Sequence, residues 1–219
     1  MMNYLVHPAE ARRRFSEFAE GDITYANLAY GALLIALEDN PGVDIERYVR
    51  ELDELTARVK RRSRTGEPPI FTLGHIHAEM FDVDHYTGDA VNYYDVRNAY
   101  LSDVIDRKMG LPISLSIIFL HVASWVGLNA AGVGLPGHYI TKVQFELNEI
   151  YVDPFHGGAT LTAAEVLTEF KTTREHLKAW DARQTLVRVL TNLQNMWTQA
   201  GDPRKAANAR ERIAIAGVA

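Results

Sequence analysis

Residues 110–127 have the sequence GLPISLSIIFLHVASWVG, in which apolar side chains occupy most positions from Ile113 to Val126. Proline fits the first turn of a helix, where its missing N–H costs nothing, so Pro112 is a suitable start. A helix that is apolar on nearly every side has no face to expose to water. The stretch therefore predicts a buried central helix over residues 113–126.

A pattern with a period of two residues follows, which is typical of a strand. Its two alternating sets are Tyr139, Thr141, Val143 and Phe145, and His138, Ile140, Lys142 and Gln144. A turn over residues 146–149 leads to a second strand from Ile150 to Asp153. We expect residues 138–145 and 150–153 to pair as antiparallel strands that pack on the central helix.

Helical patterns precede the central helix. Thr24 is expected to cap a helix that ends at the turn signal Asn40-Pro41-Gly42. A second helix carries an apolar stripe of Ile45, Tyr48, Val49, Leu52, Leu55 and Val59. A short helix is predicted over residues 70–82, and Asn98 is a suitable N-cap for another that runs to Lys108.

Helical patterns return after the predicted strands, over residues 162–180 and in the tail. In the tail, Gly201-Asp202-Pro203 separates two segments with apolar residues at helical spacing. We predict two antiparallel helices, at residues 186–199 and 203–215. The side chains expected to be largely buried there are Leu190, Leu193, Trp197 and Ile213.

The composition is that of a globular protein, with 47% hydrophobic and 23% charged residues among 219. Lysine and arginine number 23 against 28 aspartates and glutamates, a net charge of −5. We therefore expect no nucleic-acid binding, which would need a basic surplus on one face. The basic run Lys60-Arg61-Arg62-Ser63-Arg64 is better explained as a helix C-terminus, where cations complement the helix dipole.

The chain has no cysteine, which excludes disulfides, thiolate metal sites and a cysteine nucleophile. No long apolar run follows Arg12-Arg13-Arg14, so no signal peptide is evident. The longest apolar stretch is too short and too polar to span a membrane. We interpret the chain as a cytoplasmic protein that does not bind membranes.

Two short motifs suggest cofactors, and neither fits its context. Residues 132–137 read GVGLPG, but a dinucleotide site needs a helix N-terminus after the third glycine, and a strand follows here. These glycines are better explained by tight turns of the backbone beside a strand. A group of metal-ligand types lacks the i, i+4 histidine pair of a helical site; it comprises His75, His77, Asp82, Asp84 and His85. We assign no cofactor and no metal.

Five segments carry a family resemblance: ALLIA at 32–36, NYYDVRNAYL at 92–101, GLPISLS at 110–116, GLPGH at 134–138 and DPFHGG at 153–158. Together they resemble the transglutaminase-like superfamily, and within it the SirB-type bacterial subfamily. The tail also resembles a single tetratricopeptide-type helix hairpin, through Asn192-Leu193, Trp197, Gly201-Asp202 and Ala206-Ala207.

This resemblance implies an α+β fold of the transglutaminase-like (papain-like) type. The expected core is a central helix on a small antiparallel sheet, framed by N- and C-terminal helices. The implied parts are an N-terminal helical part at 1–84, the core at 85–180 and the tetratricopeptide-like hairpin at 181–219.

The resemblance also implies a catalytic constellation. In the superfamily, a histidine on a strand deprotonates a cysteine at the start of the buried helix, and an aspartate before a proline orients the histidine. His138 and Asp153 match the histidine and the aspartate. Aligning Gly110 with the family's glycine places Pro112 at the cysteine position, and a shift by two residues places Ser114 there.

The spacing of His138 and Asp153 needs a special explanation. A hairpin symmetric about residues 146–149 places Asp153 near Lys142, so that His138 lies about 13 Å away along the strand. A bulge or a strong twist has to close that gap, as the resemblance implies that something does. His156 offers a further polar group, although Gly157-Gly158 after it is equally typical of a turn.

Two functions remain open. The first is a non-catalytic scaffold that holds a peptide or protein partner in the cleft or on the tail, which the missing cysteine favours. The second is a hydrolase or acyltransferase acting on an amide or ester, with Ser114, His138 and Asp153 as nucleophile, base and orienting group. Ser116 is a second candidate nucleophile, and a helix-start cap is the alternative role for Ser114. The sequence does not indicate an oligomeric state.

Overall fold

The computed structural model describes residues 5–146 and 148–217. Its helices are α1 (Pro8–Glu20), α2 (Leu28–Asp39), α3 (Ile45–Arg62), α4 (Pro69–His77), α5 (Leu101–Arg107), α6 (Pro112–Trp125), α7 (Ala163–Glu169), α8 (Ala182–Gln199) and α9 (Pro203–Gly217). Within these ranges, no helix has both the length and the apolar character that a membrane crossing requires. The predicted turn at 146–149 includes Leu147, and the segment considered for a signal peptide includes residues 1–4; these positions lie outside the described residues.

The strands form one main sheet and one short pair. They are β1 (Thr87–Gly88), β2 (Met109–Gly110), β3 (Ala130–Leu135), β4 (His138–Gln144), β5 (Glu149–Asp153) and β6 (Ala159–Leu161). Strands β3, β4, β5 and β6 follow one another in an antiparallel sheet. Strands β1 and β2 pair in parallel beside it. The predicted α+β class and the antiparallel pair of β4 and β5 are confirmed.

Helix α6 is the centre of the molecule. Every residue from Pro112 to Ala123 is buried, which confirms the predicted central helix. Strands β3 and β4 pack against it, and helices α2, α3, α4, α5 and α8 also contact it. Enclosure by a sheet and by helices is what an all-apolar helix requires.

The predicted turn at residues 132–137 is wrong over most of its length, because Gly132 and Gly134 lie inside strand β3. A Cβ atom on Gly134 would lie 2.2 Å from the ring of Trp180, and one on Gly132 would lie 1.7 Å from the hydroxyl of Tyr139. The N–H of Trp180 also donates to the Gly132 carbonyl at 2.9 Å. These glycines therefore allow side chains and a later segment to lie directly on the strand.

Two predicted helix caps are wrong. Helix α2 begins after Asn27, whose side chain accepts a hydrogen bond from the N–H of Thr24 at 2.8 Å. Helix α5 begins after Tyr100. The side chain of Asn98 is buried and instead contacts Asp89 and Arg107, at 3.2 and 2.9 Å. The side chain of Asn98 thus forms contacts with other side chains and does not cap a helix.

The two predicted tail helices are confirmed as α8 and α9, which pack closely against each other. Leu190 and Leu193 are fully buried, as predicted. Trp197 and Ile213 are only half-buried, so the predicted burial is too high for these two. The division of the chain at residues 84 and 180 stays a prediction.

A buried arginine fastens the last helix to the rest of the protein. Arg212 on α9 has no exposed surface, and its guanidinium lies 2.8 Å from Asp39 and 2.9 Å from the carbonyl of Ile35, both on α2. The hydroxyl of Tyr100 also donates to Asp39, and the indole N–H of Trp197 donates to that hydroxyl. This network joins α9, α2 and α8 through buried polar groups.

We expect Arg212→Ala to lower the free energy of unfolding by about 3–5 kcal/mol, because Asp39 would stay buried without its cation. Urea unfolding of the two proteins measures the difference. Arg210→Ala is the matched control, since Arg210 is exposed on the same helix, and it should unfold like the parent. An equal loss in both variants would mean that the buried ion pair is not responsible.

Candidate functional site

The register of β4 and β5 brings His138 close to Asp153. Lys142 pairs with Tyr151, not with Asp153 as the symmetric hairpin predicted. Continued by two residues, this register places Asp153 across from Ile140, only two residues from His138. His138 and Asp153 then face the same side of the sheet as diagonal neighbours, within reach of long side chains. The predicted bulge is unnecessary because the sequence-based register was wrong by two residues.

The carboxylate of Asp153 is the centre of the site. Its Oδ2 atom lies 2.7 Å from Nε2 of His138 and 2.8 Å from Nδ1 of His156. Its Oδ1 atom accepts hydrogen bonds from the N–H groups of Phe155 and His156, at 3.0 and 3.3 Å. Asp153 is 1% exposed. A short 3₁₀ turn after β5 thus fixes the carboxylate, and two imidazoles share one of its oxygens.

Aromatic rings hold the imidazole of His138 in place. It stacks on the ring of Phe170, with centroids 4.8 Å apart and planes 15° apart. The ring of Phe155 meets it edge-on, at 5.9 Å and 90°. The side chain of His138 is 11% exposed, whereas that of His156 is 55% exposed. His138 is therefore fixed inside the site, and His156 forms its solvent side.

The hydrogen bond to Asp153 sets the tautomer of His138. A carboxylate accepts, so Nε2 is assigned as the N–H donor, and Nδ1 then has a free lone pair. Among the described residues, Nδ1 of His138 has no hydrogen-bond partner. This is the tautomer that a general base requires.

The predicted nucleophile Ser114 does not form a hydrogen bond with His138. The hydroxyl of Ser114 is buried and directed to the carbonyl of Ala99, at 3.5 Å. The hydroxyl of Ser116 donates to the carbonyl of Pro112 at 2.8 Å. In the described part of the chain, neither hydroxyl forms a hydrogen bond with His138. The alternative role of Ser114 as a helix cap is wrong, because no side chain caps the start of α6.

A cavity of about 260 Å³ lies between the loop before α5 and helix α8. Its walls include Tyr93, Tyr94, Leu111, Asn192, Asn195 and Gln199. The ring of Tyr93 meets that of Phe155 at 5.9 Å, and Phe155 in turn contacts His138. The rings of Tyr93 and Phe155 thus lie between the cavity and the imidazole of His138.

The sequence analysis missed most of the side chains around His138. Phe170 is distant in sequence and belongs to no motif, and Tyr93 lies in the segment 92–101 that carries the resemblance but was not assigned to the site. His156 did have a signal, since it follows Asp153 by three residues, which is one turn of a 3₁₀ helix. The possible metal ligands between His75 and His85 form separate contacts with neighbouring side chains. His75 lies 3.3 Å from Glu67, and His77 lies 3.7 Å from Asp82.

A buried helix on an antiparallel sheet, with a histidine and an aspartate paired on adjacent strands, is the arrangement that the resemblance to the transglutaminase-like superfamily implies. The sequence model of the transglutaminase-like superfamily matches residues 46–191, and the chain belongs to that family. The resemblance found in the sequence is thereby confirmed.

The chain is also similar in sequence to proteins from bacteria and mammals. A UPF0162 protein of Xylella fastidiosa (strain 9a5c) is 30% identical over 195 residues, which cover 83% of this chain and 69% of the relative. A UPF0162 protein of Pseudomonas aeruginosa is 26% identical over 193 residues, with the same coverage of 83% and 69%. F-box only protein 21 of Homo sapiens is 23% identical over 192 residues, 74% of this chain and 31% of that protein. No solved structure matches the chain significantly.

The charge state of Asp153 makes a pH-dependent contribution to stability. Burial alone would raise the pKa of this carboxyl, but the hydrogen bonds and charges of His138 and then His156 outweigh it, so the pKa lies below its ordinary value of 3.8. A carboxyl group whose pKa is lowered by folding stabilises the folded protein at every pH above its ordinary pKa. This contribution is lost as the pH falls through the pKa of the folded state.

We therefore expect Asp153→Asn to lower the free energy of unfolding by about 1–3 kcal/mol near neutral pH, because an amide oxygen accepts poorly from two imidazoles. The difference from the parent should shrink as the pH falls from about 5 to about 2. Urea unfolding in EDTA across this range measures it. Asp22→Asn, at an exposed position, is the control. A difference that grows towards low pH would contradict the assignment.

Proposed function

We propose that this chain is a peptide- or protein-binding member of its family and does not perform acyl transfer through a thiol or a hydroxyl. The strongest support comes from the residues at the start of helix α6, where a nucleophile would have to lie. The chain has no cysteine, and the hydroxyls of Ser114 and Ser116 are hydrogen-bonded to backbone carbonyls. His138 has the tautomer of a base, and no hydroxyl of residues 5–146 and 148–217 forms a hydrogen bond with its Nδ1 atom.

The cavity beside the site has side chains suited to a peptide. Asn192, Asn195 and Gln199 line one wall, and each side-chain amide both donates and accepts hydrogen bonds, as a peptide backbone does. Tyr93 and Tyr94 line the opposite side. Tyrosines provide a large apolar surface with a polar tip, which is favoured at binding surfaces. Tyr94 is 68% exposed and so is available to a ligand.

Labelling with a fluorophosphonate probe tests the absence of a serine nucleophile. We expect the purified chain, Ser114→Ala and His138→Ala all to remain unlabelled, while a known serine hydrolase treated in parallel is labelled. Turnover of amide and ester substrates should likewise match a blank. Labelling of the parent that disappears in both variants would establish a serine enzyme and overturn this part of the proposal.

Peptide selection tests the binding role. A randomised peptide library displayed on phage should yield enriched sequences, whose affinity is then measured by fluorescence anisotropy. Tyr94→Ala and Asn195→Ala should each weaken binding about tenfold, a typical cost of removing an interface side chain of this kind. Tyr30→Ala is the matched control, since Tyr30 is 41% exposed on α2. A lack of enrichment, or equal affinity in all variants, would count against the cavity as the binding site.

A further inference from the structure

We propose that His138, Asp153 and His156 bind one divalent transition-metal ion of the Zn²⁺ type. The ligand atoms are Nε2 of His138, Oδ2 of Asp153 and Nδ1 of His156. All three lie within 4.8 Å of one another, and within the described ranges this is the group of three such side chains whose ligand atoms converge. Two imidazoles and one carboxylate are a donor set that Zn²⁺ and similar ions prefer.

The ligand atoms have to move apart to admit an ion. Bonds from Zn²⁺ to nitrogen and oxygen are about 2.0–2.2 Å, which in a tetrahedral site separates neighbouring ligand atoms by about 3.3–3.6 Å. The two nitrogens lie 2.7 and 2.8 Å from the carboxylate oxygen. Each of these two contacts therefore has to lengthen by roughly 0.5–0.9 Å for the ion to enter.

The surroundings of these residues hold them in place for an ion. The second oxygen of Asp153 is fixed by the N–H groups of Phe155 and His156, which orients the first oxygen. The stack on Phe170 and the edge contact with Phe155 fix the ring of His138. Such supporting contacts to a ligand are typical of metal sites. The exposed ring of His156 provides the side from which an ion can approach.

The charge balance of the site also favours a cation. Asp153 is 1% exposed, and a buried carboxylate is costly unless a positive charge offsets it. Among the described residues, its ion-pair partners are His138 and His156, and it has no lysine or arginine partner. Without an ion, both imidazoles have to donate a proton to the same oxygen. With a divalent ion bound, each imidazole carries its proton on the other ring nitrogen, so that Nε2 of His138 and Nδ1 of His156 offer lone pairs to the ion, and the ion's charge offsets the carboxylate.

Zinc titration of the full chain tests this proposal directly and does not depend on peptide binding. The purified protein is freed of metal with EDTA, dialysed, and titrated with Zn²⁺ by calorimetry. Co²⁺ is added in a parallel experiment, in which its visible absorption reports nitrogen and oxygen coordination. We expect one equivalent of either ion per chain. His138→Ala and His156→Ala should each weaken Zn²⁺ binding at least tenfold.

His176→Ala is the matched control, because His176 is an exposed histidine outside the cluster, and its variant should bind Zn²⁺ like the parent. His156 is itself exposed, so His156→Ala should keep its fold, which circular dichroism and thermal melting in EDTA verify. The proposal is overturned by an absence of saturable binding up to millimolar Zn²⁺. It is also overturned if His156→Ala binds as tightly as the parent, or if His176→Ala loses binding equally.

Discussion

Enclosure of helix α6 is the constraint on which the rest of the structure depends. A helix buried at every position from Pro112 to Ala123 needs neighbours on all sides, and the sheet and five helices provide them. The same burial controls the chemistry at its start. A buried hydroxyl without a partner is costly, so Ser114 and Ser116 donate to carbonyls of the nearby backbone. The packing that fixes the helix thus directs both hydroxyls to backbone carbonyls.

Local patterns in the sequence predicted most of the helices and the β4–β5 pair, but they did not predict how these elements meet. The continuous apolar run predicted α6, and the alternation with period two predicted β4 and β5. Strand β3 was not predicted because Gly132 and Gly134 are typical of turns. Here these glycines allow the side chains of Trp180 and Tyr139 to lie on the strand. That reason depends on a residue about 46 positions further along the chain, which no local window contains.

In the candidate site too, the sequence identified residues but not the contacts between them. His138 and Asp153 could be identified by resemblance, but the contact between them depends on a register that the predicted turn placed two residues away. A hairpin's register follows from its closing pair, which is Gln144 with Glu149 here. His156 carried a weak local signal, and Phe170 carried none. A side chain that stacks on the site from a later helix end cannot be recognised from spacing alone.

The cavity proposed to bind a peptide and the proposed metal site are linked through the rings of Tyr93 and Phe155. Phe155 contacts His138 on one side and Tyr93, a wall of the cavity, on the other. The N–H of Phe155 also holds the carboxylate of Asp153. A peptide that displaces Tyr93 therefore acts on the residue that positions two of the three metal ligands. Any effect of a bound peptide on metal affinity must be matched by an equal effect of the metal on peptide affinity, since coupling between two binding sites is reciprocal. On these two proposals, the transglutaminase-like core is a frame that connects two binding events, a role that needs no nucleophile at the start of α6.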